Sequence, residues 1–495
     1  MRRDDSMNQY VKRVSDSNRI IIYGAGKIAQ TVYNELQEYG LSNKIICFAV
    51  SDDRQDANRK LNGIKIIPIG QLKEYYGNTL FLIAVGEALS AEIEATLMQL
   101  DISDYFQAQM IYIGEWYSER NRDYIERYIA AEQGNWTDMS DNSDYISHVT
   151  YCTASNAGDT MLSKCVRKYI DYPRWNIIDV RQKVTDDMID KINHGRALVI
   201  GGGGLFLPDT NENSISGWQW AISDEQLEKI TVPIIVYAVG YNYFRGQEPN
   251  KLFENSLAKL VRKAEFIGLR NNGSIRKVNK IIGEEIGKKI VYQPCMTTMI
   301  SKLYSIEKRN DTKMIGINIA FDRENLRFGN MKKEILSETA RAFKEIQNMG
   351  YQLLYIAHTD GDLRFLKYMD YYNVQYDVEN LTNEFPEKII ETYKRLQCVI
   401  GMRGHAQMIP FGVGCRIITL GSHDKMRWFL EDVTMQSAYV DLVEDINNIS
   451  KNIVNIFLEN NVKNATETDA KIAAEKERLW EISCKNKEYI ISKIF

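Results

Sequence analysis

One pattern recurs along this chain and limits what it can become: a short, almost unbroken apolar run, a turn of small or charged residues, then helical spacing. Arg19-Ile20-Ile21-Ile22-Tyr23 runs into Gly24-Ala25-Gly26, Ala197-Leu198-Val199-Ile200 into Gly201-Gly202-Gly203-Gly204, and Cys398-Val399-Ile400 into Gly401-Met402-Arg403-Gly404-His405. A run that is apolar at every residue is a strand buried on both faces, as in parallel sheets covered by helices. The fold class is therefore α/β. At 495 residues the chain is too long for one ordinary core, so several domains are expected.

Residues 19–115 read as a Rossmann-like domain: strands at 19–23, 44–50, 64–67, 79–85 and 109–112, with an amphipathic helix after Gly26. Residues 116–144, rich in Asn, Asp and Ser, read as a helix and linker. Two further Rossmann-like domains follow at 145–305 and 306–445, and 446–495 reads as a helical tail that crosses back onto the preceding domain or pairs with another subunit. Strands are expected at 146–152, 176–180, 196–200, 233–239, 264–268 and 289–292, then at 313–319, 351–356, 396–400 and 415–420. Two such units facing one another create a cleft between the C-terminal ends of their sheets, where large α/β proteins bind ligands.

The net charge of -4 offers no field for gripping a nucleic acid backbone. Seven cysteines are widely separated, none with zinc-ligand spacing, and several sit in apolar runs as buried thiols do. Met1-Arg2-Arg3-Asp4-Asp5 has no apolar core behind it, and no window approaches the roughly 18 apolar residues of a spanning helix. A cytoplasmic protein is expected, with any membrane contact peripheral at the inner face.

The chemistry-bearing residues cluster after strands. Gly401 to Gly412 places a guanidinium, Arg403, two residues before an imidazole, His405, at a strand-to-helix junction that favours anions. The same segment also reads as a plain helix start with a surface arginine. Ala154-Ser155-Asn156-Ala157-Gly158-Asp159 precedes a helix at 160–170; Asn156 and Asp159 can orient a ligand there, and Asp159 equally reads as the N-cap. Gly202 and Gly203 lie in a run of four glycines that bares backbone N–H groups or lets a helix pack closely. Arg270 leaves the strand Glu265-Phe266-Ile267 much as Arg403 leaves its own, so the two could clamp a small dianion from opposite domains. Asn318, His423 and Lys425 add donors and cations to the same layer of loops, and His358 follows another strand. In the front domain Gly24 and Gly26 are candidate nucleotide-binding glycines and Asp52 a candidate ribose acceptor, against a module that has lost its ligand. Metal-ligand spacings are missing; Asp322 and Asp360 could join only a substrate-dependent cation.

Ser155-Asn156-Ala157-Gly158-Asp159, Gly201–Gly204, Gly240 after Val236-Tyr237-Ala238-Val239, Leu269-Arg270, Arg403-Gly404-His405 through Gly412, and Lys425 together resemble the polysaccharide pyruvyl transferase family over about 145–440. The resemblance implies two facing domains like those of a B-type glycosyltransferase. It further implies transfer of the enolpyruvyl group of phosphoenolpyruvate to a sugar, usually closed into a pyruvate ketal. Arg403 and Arg270 would then bind phosphoenolpyruvate, and His405 would act in proton transfer. The front domain lies outside the family core and resembles nucleotide-binding folds found beside sugar-modifying enzymes.

That donor carries a carboxylate and a phosphate, which suits two guanidinium forks. Asp159 could take the proton of the attacking hydroxyl, while backbone N–H groups and Lys425 steady the departing phosphate. Replacing Arg403 by Lys should cut turnover and leave the fold intact. No cofactor is firmly implied; a divalent cation, and a nucleotide or nucleotide-sugar in the front domain, stay open. The expected partners are phosphoenolpyruvate and a sugar acceptor, free or lipid-linked, with a homodimer also open. The rivals are a nucleotide-sugar-dependent glycosyltransferase and a non-catalytic nucleotide- or glycan-binding protein.

Overall fold

The computed structural model describes residues 13–14, 16–38, 41–52, 59–85, 87–108, 144–152, 156–182, 184–208, 214–306, 313–444 and 446–494. It divides into two units, residues 1–123 and 124–495. The expected strand at 109–112 and nearly all of the expected linker fall outside the described residues.

The first unit is one six-stranded sheet: β1 (Ile20–Tyr23), β2 (Ile45–Val50), β3 (Lys60–Leu61), β4 (Ile64–Pro68), β5 (Leu80–Ile83) and β6 (Tyr105–Gln107), ordered β3-β4-β2-β1-β5-β6. All pairings are parallel except the short β3–β4 hairpin. The unbroken apolar run of β1 is explained by what covers it. Ile20 and Ile22 enter one apolar cluster and Ile21 and Tyr23 another, so neither face of the strand meets water.

The second unit holds two more six-stranded sheets, both wholly parallel. The first lobe uses β7 (Ile146–Thr150), β8 (Trp175–Asp179), β9 (Ala197–Phe206), β10 (Ile234–Tyr241), β11 (Phe266–Leu269) and β12 (Ile290–Tyr292) in the order β12-β11-β10-β9-β7-β8. The second lobe uses β13 (Met314–Asn318), β14 (Gln352–Ala357), β15 (Asp377–Asn380), β16 (Cys398–Gly401), β17 (Arg416–Gly421) and β18 (Tyr439–Asp441) in the order β15-β14-β13-β16-β17-β18. The edge strands β15 and β18 carry no apolar run, and the sequence pattern does not announce them. An edge strand pairs on one side only and can keep polar side chains in water.

The lobes meet at the C-terminal ends of their strands. Gly412 of the helix His405–Val413 packs tightly on the Thr297 backbone, and Trp428 of the helix Asp424–Asp432 fills the space over Gly273. Asp432 accepts from Asn272 across the same seam, and Arg245 pairs with Asp424 and Asp441. The tail forms the helix Ala465–Ile494, which leaves the second lobe through Asp469–Arg416 and returns to the first. There Asn486 donates to Tyr292 O, Lys487 donates to Tyr169 O, and Trp480 meets Tyr169 edge-on. One apolar cluster accordingly joins residues of both lobes and the tail, from Ile146 through Val399 to Ile490. No helix among the described residues is long and apolar enough to cross a membrane.

Candidate active site

The first lobe brings Asp159 to the seam. Helix Ala157–Ile170 starts three residues earlier than the expected 160–170, because Asn156 is its N-cap and accepts from Gly158 N at 2.9 Å. The cap expected of Asp159 is therefore made by Asn156, which frees Asp159. Among the described residues the Asp159 carboxylate has no hydrogen-bond partner and no ion pair within reach. Burial pushes its carboxyl up, against the opposing pull of Arg181, Arg403, Arg270 and Lys425. Gly202 and Gly203 continue β9 with φ of +45° and +96°. A β-carbon on Gly202 would stand 2.5 Å from Leu162 Cγ, so this glycine serves helix packing. At Gly203 it would lie 3.9 Å from Asp159 Oδ1, so only Gly203 borders the acid.

Arg270 follows β11 and lies over Gly240, where a β-carbon would come within 2.6 Å of the guanidinium carbon. It is 6% exposed, and its Nε has no hydrogen-bond partner among the described residues. Burial works against its charge, while Cys295, Asp159 and Tyr151 favour it. A guanidinium left in this condition is costly unless an anion completes it.

Arg403, from the end of β16, is in the opposite situation. Its Nε donates to Asp362 Oδ2 at 2.8 Å, its Nη2 to Asp362 Oδ1 at 2.5 Å and to Thr359 Oγ1 at 3.0 Å, and its Nη1 lies 2.8 Å from Asp322 Oδ1. Burial alone would lower its proton affinity, but Asp362 and Asp322 raise it further than burial takes away. Asp362 is wholly buried and also accepts from Asn318 Nδ2 and His358 N. Arg403 and Asn318, expected to grip substrate, thus knot together the ends of β13, β14 and β16. Asn318 keeps one buried orphan atom, Oδ1.

His405 opens its helix and lies across Gly158 of the first lobe. Its Nε2 stands 3.9 Å from Cys295 Sγ. Burial first, then Arg270, His358, Lys425 and Arg403, hold its pKa well below the ordinary histidine value, so the imidazole is neutral near pH 7. Lys425 donates to Asn242 Oδ1 across the seam, and burial followed by Arg270 and Arg327 drives its pKa well down. His423, expected in the ligand-facing layer of loops, is fully buried: its ring stacks on Phe244 at 4.2 Å and Nδ1 meets Ser422 Oγ, while Nε2 has no partner among the described residues. His358 is likewise buried, with Nε2 on Tyr393 Oη at 2.5 Å and burial bringing its pKa down to about 4.

Asp159, Arg270, His405 and Lys425 therefore converge, whereas Arg403, Asn318 and His423 support them from behind. Sequence reasoning missed Asn242, Cys295, Tyr151 and Arg181. Arg181 follows β8 just as Arg270 follows β11, so the same strand-end logic would have found it; its guanidinium stands 5.2 Å over the Tyr151 ring. Of the two carboxylates left open for a cation, Asp322 pairs with Arg327 and Arg403, and Asp360 accepts from Asn380.

In the first unit Gly24, with φ of +129°, is required by packing: a β-carbon there would stand 2.5 Å from Ala84 O. Gly26 borders open space. Asp52 Oδ1 accepts from Gly70 N at 2.9 Å, which ties the end of β2 to the segment that follows β4.

The family model described as "Polysaccharide pyruvyl transferase" matches residues 156–424, and that described as "C2185-like, N-terminal" matches residues 16–106. No curated protein matches the chain. Among solved structures it is similar to accessory secretory proteins 1, 2 and 3 of Streptococcus pneumoniae, at 11% identity over 62% of this chain and 57% of that one, TM-score 0.35. It is similar to a Staphylococcus aureus TarM variant in complex with Fondaparinux, alpha-GlcNAc-glycerol and UDP, at 9% identity over 60% and 55%, TM-score 0.39. A third is Staphylococcus aureus MnaA with UDP, at 11% identity over 67% and 91%, TM-score 0.41. The chain spans little more than half the length of the first two. At such scores these likenesses add nothing to a fold that the three parallel sheets already define. The match over residues 156–424 takes in Asp159, Arg270, His405 and most of both lobes, and the chain belongs to the polysaccharide pyruvyl transferase family, a family of sugar-acting transferases.

Proposed function

We propose that the chain transfers the enolpyruvyl group of phosphoenolpyruvate to a sugar diol of a cell-surface polysaccharide precursor and closes it into a pyruvate ketal, releasing phosphate. The observation that carries this reading is the buried guanidinium of Arg270, whose Nε has no partner among the described residues, near Lys425, whereas Arg403 is already neutralised. Such a cleft favours a small donor with more than one negative charge.

In this reading Arg270 and Lys425 hold the carboxylate and phosphate, the arriving anion offsetting the burial and neighbouring cations that oppose the charge of Lys425. Protonation of the methylene carbon leaves the adjoining carbon cation-like, a sugar hydroxyl bonds to it, and its proton passes to a base. The C–O bond to phosphate then breaks, and a second hydroxyl of the same sugar completes the ketal. Asp159 and His405, facing the cleft from opposite lobes, share the proton traffic. Burial pushes the Asp159 carboxyl up, which makes it a stronger base than an exposed carboxylate. The positive field that holds the donor also steadies the departing phosphate.

A nucleotide-sugar donor is the second reading; the TarM and MnaA structures to which the chain is similar contain UDP. Incubation with phosphoenolpyruvate or with UDP-sugars, each beside a panel of free and lipid-linked sugars, separates the two. Phosphate release with a product heavier by one pyruvate less one water is expected. Release of UDP with no phosphate would replace this reading by the second, and binding without turnover would point to a sensor.

A further inference from the structure

Cys295 lies directly behind the imidazole of the site. It follows β12 in the first lobe, is 2% exposed, and stands 3.9 Å from Nε2 of His405 in the second. Its Sγ is also 3.1 Å from Oγ1 of Thr297, which is wholly buried. Among the described residues Nε2 has no other hydrogen-bond partner. The other ring nitrogen, Nδ1, lies on the Gly158 side, against the turn that carries Asp159.

A neutral imidazole carries one N–H, and the partner of one nitrogen decides where that hydrogen sits. A thiol is a weak donor and a weaker acceptor, while a threonine hydroxyl can give a hydrogen to sulfur. Thr297 Oγ1 donating to Sγ leaves the S–H free to point at Nε2. That order satisfies both buried groups, whereas an Nε2–H would compete with the hydroxyl for the same sulfur.

We propose that Cys295 is a positioning residue: its thiol donates to Nε2 of His405 and fixes the tautomer whose hydrogen is on Nδ1, on the Gly158 side of the ring. This rests on the reading of His405 as the site's imidazole but not on the identity of the donor. It also narrows the sharing of the proton traffic. With its lone pair turned to the thiol, neutral His405 offers a hydrogen-bond donor to an anionic oxygen, and Asp159 both gives the proton to the methylene carbon and takes that of the attacking hydroxyl.

The tautomer can be read in the full chain without substrate, by long-range proton–nitrogen correlation of ¹⁵N-histidine-labelled protein near neutral pH, with His405 identified by its loss in His405→Gln. The expected result is a protonated Nδ1 and a lone-pair Nε2 in the unaltered protein. Cys295→Ser, which keeps a donor, should preserve that state, and Cys295→Ala should shift His405 toward the Nε2-protonated form. An Nε2-protonated His405 in the unaltered protein, or a Cys295→Ala spectrum unchanged at His405, would overturn the proposal. Because no donor is present, failure of the pyruvyl-transfer reading would appear only in the turnover assay.

Discussion

The imidazole of His405 lies across Gly158, so that a β-carbon on Gly158 would stand 2.6 Å from Cβ and Cγ of the histidine and closer still to Nδ1. The two residues belong to different lobes, and the missing side chain is what lets the second lobe bring its imidazole to the acid of the first.

Gly158→Ala should therefore act on activity more than on stability. Alanine in place of glycine favours the helix by up to about 1 kcal/mol, against an overpacking cost of about 1–3 kcal/mol. Displacing a reacting group by roughly 1 Å costs on the order of 10²-fold in rate. Turnover measured beside thermal unfolding checks this; full activity in Gly158→Ala would remove His405 from the reaction centre.

Arg270→Gln should lower kcat/KM about 10²–10³-fold, the effect of deleting one preorganised electrostatic contact. Stability should hold or rise, because the substitution removes a buried charge that no described residue completes. A clear fall in unfolding temperature would instead identify Arg270 as a structural residue.

Arg403→Lys should destabilise the second lobe, contrary to the expectation from sequence that the fold would stay intact. Lysine keeps the charge but loses the two-pronged bond to Asp362, at a cost of about 1–3 kcal/mol. Asp362→Ala, which strands Arg403, should cost about 3–5 kcal/mol. If Arg403→Lys unfolds like the parent yet no longer binds phosphoenolpyruvate, Arg403 is a substrate clamp after all.

Stability should fall as the pH drops below neutrality. Burial lowers the pKa of His148 to about 3 and of His358 to about 4, and holds His405 and His423 well below the ordinary value. A group with a depressed folded pKa binds its proton more tightly in the unfolded chain. Its contribution is whole above the unfolded value of about 6.5 and erodes below it, by about 1.4 kcal/mol per pH unit for each group. Asp432, raised to about 6 by burial, has the opposite sign, gaining stability as pH falls from about 6 toward the unfolded carboxylate value near 4. Asp159 and Asp179, raised as well, act in the same sense as Asp432. Four histidines outweigh these carboxylates between pH 6.5 and 5. Unfolding temperature followed over that range should decline, with a shallower slope in His358→Asn; a flat profile in the parent would show that these imidazoles are not buried neutral.

Much of the fold was legible because its signals are local. Apolar runs marked nearly every central strand, and the residues that leave those strands, Arg270 and His405 among them, lie at the strands' C-terminal ends as expected. The edge strands Asp377–Asn380 and Tyr439–Asp441 were not legible, since strands paired on one side need no apolar run. The surroundings of Asp52 and His423 were not legible, because nothing nearby in sequence reveals that Gly70 and Phe244 come to meet them.

By itself the sequence determined the three parallel sheets, the order of their strands along the chain, and the rim to which each cation is delivered. Burial on both faces and the turn after each strand are written in neighbouring residues. Only the tertiary structure decided which of those cations remains available. Arg403 is neutralised by Asp362, 41 residues away, whereas Arg270 meets no such partner among the described residues. The pairing of buried charges depends on which loops the sheets bring together, and no local pattern encodes that.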